Sequence, residues 1–203
     1  MYELDYFPKV ILESGTVGYG GSQKWFPRRW RRLAGCASVT AANLAAYYEI
    51  GVKPDVYSES GERNYSERNY LELMNRMFGY MRPGFRGFTD RDKYEVRFIE
   101  YAASCGKVLT AEHLKNWTDS GEPKRFVVSR IMEGSPVILL ILKHTEKAIE
   151  DDTWHWMTIT GYDEATDDLL LSNYGRRQTM NAEHVFAPGV KNDVKLTVFS
   201  VAG

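Results

Sequence analysis

The 203-residue chain holds only two cysteines, Cys36 and Cys105, too few for a disulfide-held scaffold. Its opening segment, MYELDYFPKVILES, has neither the basic start nor the long apolar core of a secretory signal. Together these point to a cytoplasmic protein. Long apolar runs are also missing. The longest, PVILLIL from Pro136 to Leu142, falls far short of the roughly 20 residues a membrane-spanning helix needs, so no membrane partner is expected. Neither sign of charge is in excess: 26 Lys and Arg stand against 27 Asp and Glu, which gives no global attraction for nucleic acid. Histidine is scarce, and His113, His144 and His184 have no cysteine or second histidine at ligand spacing, so no metal or other cofactor is expected.

What is present is ordinary globular composition, 43% apolar and 26% charged, in a length that suits one domain. Up to Gly35 the chain reads as irregular: GTVGYGGSQKW is a glycine-rich loop and FPRRWRRLAG a basic, proline-containing approach without a helical face. From Ala37 to Tyr48 the character changes, with no charged side chain and only Ser38, Thr40 and Asn43 polar among the interior positions. A helix apolar all round is a buried helix. Glu49 and Gly51 mark its end, and Pro54 blocks continuation.

The middle, Ser58 to Glu133, reads as shorter amphipathic helices. SERNYLELMNRMFGYM places Tyr70, Leu73, Met74, Met77 and Phe78 on one face, and DRDKYEVRFIEYAASCG ends at Gly106. After a helix ending at Glu133 and Gly134, the period changes. PVILLIL reads as a strand, TWHWMTITGYDEATDDLLLSNYG as a hairpin whose first strand includes Trp154, and KNDVKLTVFSVAG as a last strand. The expected class is α+β, a helical lobe over about residues 36–135 and a β-rich lobe over about 136–203.

The hairpin carries a chemical signal. Alternation sets His155, Met157 and Ile159 on one face. Matching apolar to apolar then pairs Ile159 with Leu169 and Met157 with Leu171, and so sets His155 opposite Asn173. A carboxamide oxygen there fixes the imidazole tautomer and leaves the other nitrogen free as a base. Cys36, at the start of the buried helix, meets unpaired backbone N–H groups and roughly half a positive charge, which favour thiolate and can bind an oxyanion. A thiol near the free nitrogen completes a Cys-His-Asn arrangement.

In GCASVTAANLAAYY, EGSPVILLIL and HWMTITGYDEATDDLLLSNYG the chain resembles the papain-like cysteine peptidases, most closely the bacteriocin-processing (double-glycine leader) peptidase-like branch. The resemblance implies a papain-like fold with its site in the cleft between a helical and a β-sheet lobe. It makes Cys36 the nucleophile, His155 the base and Asn173 the orienting residue, where that branch commonly has Asp. Such enzymes usually carry a Gln about six residues before the cysteine to complete the oxyanion hole. Trp30 holds that place here, so the substitutes are its indole N–H or Gln23, the latter if the glycine-rich approach folds back.

The implied activity is hydrolysis of a peptide or related acyl bond through a thioester, with a peptide or protein as substrate. A binding domain without turnover and an acyltransferase with the same triad are the alternatives. Arg31, with Arg28, Arg29 and Arg32, would draw an acidic substrate to the cleft or stand as a solvated loop. Trp154 and Trp156 would line the substrate groove or pack beneath neighbouring helices. The acidic run Glu150 to Asp152 would act on His155 or keep the hairpin edge soluble. The sequence leaves the oligomeric state open.

Overall fold

The structure is a computed structural model that describes residues 1–57 and 61–202. Ser58, where the stretch read as helical begins, lies outside the described residues. The chain opens with β1 (Tyr2–Glu3), β2 (Lys9–Ile11) and β3 (Val17–Tyr19), then α1 (Arg29–Ala34) and α2 (Cys36–Tyr47). The middle holds β4 (Val56–Tyr57), β5 (Arg63–Ser66), α3 (Glu67–Tyr80), α4 (Arg91–Ser104), β6 (Leu109–Lys115) and α5 (Gly121–Met132). The last third comprises β7 (Val137–Lys143), β8 (His155–Asp163), β9 (Asp168–Asn173), β10 (Arg176–Asn181), α6 (Ala182–Val185) and β11 (Asp193–Val201).

The architecture is α+β. The main antiparallel sheet has the order β10-β9-β8-β7-β11-β6, with β1 pairing to β8, and a small second sheet runs β3-β2-β5-β4. One face of the main sheet is covered by α2, α3 and α4, which meet Ile138, Leu140, Trp156 and Phe199. The other face packs Leu139, Ile141, Met157 and Leu171 against Val127 and Ile131 of α5 and Val185 of α6. Cover on both faces explains why β7 reads as a continuous apolar run rather than an alternating one.

All twelve residues of α2 are buried, which is why the segment has no charge. Burial obliges its polar groups to find partners. Thr40 Oγ1 donates to Ala37 O and lies 3.0 Å from Tyr94 Oη. Asn43 fills every position of its carboxamide. Its Oδ1 accepts from Gly21 N at 2.9 Å and Tyr70 Oη at 2.7 Å, and its Nδ2 donates to Thr158 Oγ1 and Ser172 Oγ, each at 3.3 Å. Ser172 Oγ in turn donates to Tyr19 O at 2.8 Å. The loop before α1 can approach so closely because it carries no side chain there. A Cβ at Gly20, whose φ is +68°, would lie 2.8 Å from Asn43 Oδ1.

The two middle helices follow their sequence pattern. Tyr70, Leu73, Met74 and Met77 form the buried stripe of α3, capped by Ser66, and Asp90 caps α4. Elsewhere the structure corrects the reading. The basic approach is not loop: Arg29–Ala34 is helical, and Gln23–Trp25 forms a 3-10 turn after strand β3. The short α1 has no side-chain cap and only Ala34 buried. It is held by tertiary contacts: Arg31 bonds Asn75 and lies over the Phe78 ring, and Arg32 donates to Phe26 O and Pro27 O. The helix-rich middle also contributes β6, paired to β11 at the edge of the main sheet.

The carboxamide of Asn43 ties four other chain segments to α2 inside the core, so Asn43→Ala should lower the unfolding free energy by about 2–4 kcal/mol. Urea denaturation checks this; a loss below about 1 kcal/mol would show that the network contributes little.

Candidate active site

Cys36 is the first residue of α2, His155 the first of β8 and Asn173 the last of β9. The three side chains, all buried, therefore meet where one helix tip and two strand ends come together. His155 Nε2 and Asn173 Oδ1 are 2.8 Å apart. The carboxamide oxygen only accepts, so Nε2 carries the proton and Nδ1 is left for the sulfur. The neighbours that favour the ionised Cys36 sulfur are the His155 ring and the backbone N–H groups of Trp156 and Ala37.

The expected register is corrected. Ile159 pairs with Leu171 rather than Leu169, and Thr158 with Ser172. Beyond an irregularity between Ile159 and Gly161, Tyr162 faces Leu169 and Asp163 faces Asp168. The strand runs on past the polar residues that sequence reading placed in the turn, and the extra residue at Thr160 shifts the pairing. The faces survive because the shift at Ile159 is two residues. His155 thus reaches Asn173 diagonally, within the range of cross-strand neighbours.

Electrostatics at the site follow from burial and neighbours. Burial pushes the Cys36 thiol up, but the hydrogen bond and charge of His155, with the N–H groups of Trp156 and Ala37, outweigh it and bring the thiol below its ordinary value. Burial pushes His155 down, while Cys36, Asn173 and Asp152 outweigh it and raise it. Asp152, from the acidic run, is itself raised by burial against the pull of His155. Both shifts favour a thiolate-imidazolium pair.

Tyr174 is the residue that sequence reasoning missed. Its ring stacks on His155 with centroids 4.9 Å apart and planes at 17°, and Lys24 Nζ lies 4.7 Å from the Tyr174 centroid. The signal was the aromatic directly after Asn173, set by a positive φ of 49° before Gly175.

Of the two oxyanion candidates, Gln23 lines the same small cavity as Cys36, His155 and Asn173. The glycine-rich approach folds back, anchored on Asn43, and carries it there. Gln23 Nε2 donates to Arg32 O at 2.9 Å, which leaves its second N–H unassigned. Trp30 is elsewhere: it lines an open cleft of about 450 Å³ whose lining also includes Cys36 and Trp154. Trp156 and Arg31 do not line this cleft. The Trp156 indole stacks on Tyr94 with centroids 4.5 Å apart and donates to Phe88 O, within the core. Arg31 is occupied by Asn75 and Phe78 of α3.

Cys105 caps the far end of α4, with Ser104 Oγ 3.9 Å from its sulfur. Among the described residues no group of three or more His, Cys, Asp or Glu side chains could hold a metal ion, and no helix is long and apolar enough to cross a membrane.

No family model matches this chain, and no curated protein matches it. Solved structures of similar shape include the crystal structure of UfSP from C. elegans, at a TM-score of 0.41 and 12% identity, covering 83% of this chain. The chain spans only 30% of that protein's length. They also include the Pseudomonas avirulence protein AvrPphB, at a TM-score of 0.41 and 13% identity, covering 86% of this chain and 95% of the other.

The lowered thiol has a direct readout. Alkylation of Cys36 by limiting iodoacetamide should show a midpoint pH below the ordinary thiol value of about 8.5. His155→Ala should move that midpoint up, since the positive partner is gone. Mass spectrometry of the labelled peptides decides: labelling of Cys36 no faster than Cys105 at pH 6–7 contradicts the pairing.

Proposed function

We propose that the chain is a papain-like cysteine hydrolase that cleaves a peptide or related acyl bond through a thioester. The observation that carries this reading is the meeting of Cys36, His155 and Asn173 at element ends, with the thiol lowered and the imidazole raised. The sequence segments quoted above favour the bacteriocin-processing branch as its affiliation. The two free cysteines accord with a reducing compartment, and we place the enzyme in the cytoplasm.

In this mechanism the Cys36 thiolate attacks the scissile carbonyl carbon, forming a C–S bond as the carbonyl π electrons move to oxygen. The developing oxyanion is met by the backbone N–H at the uncapped start of α2 and by the second Nε2 proton of Gln23. Collapse breaks the C–N bond, and His155 Nδ1 gives its proton to the departing amine. Water then adds to the thioester and yields its proton to Nδ1, and the sulfur leaves as thiolate with release of the acid. Asn173 holds Nε2–H throughout, so the ring keeps one orientation in both steps. Tyr174 covers the ring face and keeps water from that bond.

Gln23 beside Cys36 in the small cavity supports turnover over the alternative of a binding domain without it.

A mixed peptide library, read by mass spectrometry, tests the assignment. Cleavage should appear with the wild-type chain and vanish in Cys36→Ala. Gln23→Ala should lower kcat by roughly 10²-fold with little change in KM, the signature of a donor used only in the transition state. Cleavage that persists in Cys36→Ala would refute the mechanism.

A further inference from the structure

Two depressions flank the tight turn at Gly84–Gly87 between α3 and α4, and we propose that together they define the substrate. It is a peptide with a bulky aromatic or aliphatic side chain close to the scissile bond and an acidic residue beyond it. The proposal rests on Cys36 as the nucleophile for the word substrate, but the binding it describes is separable from turnover.

The first depression is the cleft that reaches Cys36. Its walls are Trp30 and Leu33 from α1, Phe85 and Arg86 from the turn, and Trp154 before β8. These apolar side chains stand out in solvent: Phe85 is 98% exposed, Leu33 66%, Trp154 50% and Trp30 49%. Single exposed apolar residues are commonplace, but four converging on one cleft beside a buried thiol mark a binding surface. None serves the core, which the same segments supply through Ala34, Phe88 and Trp156. The turn is held shut by Gly84 N to Gly87 O at 3.0 Å and Gly87 N to Gly84 O at 3.1 Å. Phe85 is therefore presented to solvent on a short, closed frame.

The second depression lies on the other side of the turn and is lined by Arg82, Lys93 and Arg97 with Tyr80 and Gly84. Arg97 pairs with Glu100 at 2.7 Å. Lys93 Nζ lies 5.7 Å from the centroid of Phe88, a residue that also lines the cleft, which makes the two depressions neighbours. Among the described residues Arg82 and Arg86 make no ion pair. In a chain of net charge −1, unneutralised arginine in each of two neighbouring depressions is a local feature, and it complements an acidic side chain.

The test uses Cys36→Ser protein, which binds without turnover, and follows tryptophan fluorescence, since Trp30 and Trp154 line the cleft. The probes are N-acetylated, amidated hexapeptide pools with one position fixed as Phe or Ala and a second as Asp or Lys. At one position Phe should bind roughly tenfold or more tighter than Ala, and Phe85→Ala should erase that preference. Asp beyond it should be favoured over Lys by about two- to fivefold, and the double variant Arg82→Glu, Lys93→Glu should reverse the sign. All three substitutions are at exposed positions, and an unchanged urea midpoint confirms that each variant folds. Equal binding of Phe and Ala pools, preferences untouched by these variants, or tight binding of sodium laurate instead of any peptide would overturn the proposal. Peptide preference without wild-type turnover would sink only the hydrolase reading; turnover without preference would sink only this inference.

Discussion

The carboxamide of Asn43 is the constraint on which the site depends. It lies about two turns into a helix that is buried on every side, where any unpaired polar atom is costly. The structure answers by bringing a donor or acceptor to each of its four positions, and each comes from a different place: the glycine loop, α3, β8 and β9. Satisfying one side chain therefore fixes the relative positions of the four segments. The strands so fixed carry His155 and Asn173, the helix carries Cys36, and the loop leads two residues later to Gln23.

The chemistry then follows from where the elements end. A helix tip offers N–H groups, and a strand end offers side chains free of the sheet's alternation, so His155 can turn toward Cys36 although its parity matches Met157 on the opposite face. Burial alone would make both groups neutral. The opposed shifts arise because each group is the other's main favourable neighbour, with the Asn173 oxygen and the Asp152 carboxylate adding to the histidine side. Tyr174 stacks on the same ring, with Lys24 above it.

Much of this was legible in the chain. The chargeless run predicted a helix buried all round, the stripe from Tyr70 to Met77 predicted the face of α3, and the alternation around HWMTITGY predicted a strand that carries His155. The hairpin register was not legible, because a bulge at Thr160 and a longer strand are decided by β1 crossing at Gly161 and by the turn, not by apolar matching. The helix α1 was hidden because its arginines are stabilised by distant partners. Strand β6, LTAEHLK, lies at a sheet edge and needs no strict alternation, and β10, RRQTMN, is the polar opposite edge. Gln23 could not be assigned because its place depends on how the twelve residues between it and Cys36 fold back, which only the Asn43 contacts determine.

The proposed reacting groups and the cleft walls are built from different kinds of material. Cys36, His155 and Asn173 sit on elements whose surroundings are fully packed, so almost any change near them disturbs the core. Trp30, Leu33, Phe85 and Arg86 stand on a six-residue helix and a small closed turn, with their side chains outside the core. For the hydrolase proposed here, selection acting on descendants of this chain would be free to rewrite what the cleft accepts at little cost to stability, while the reaction itself stayed fixed: preference would evolve quickly and chemistry slowly.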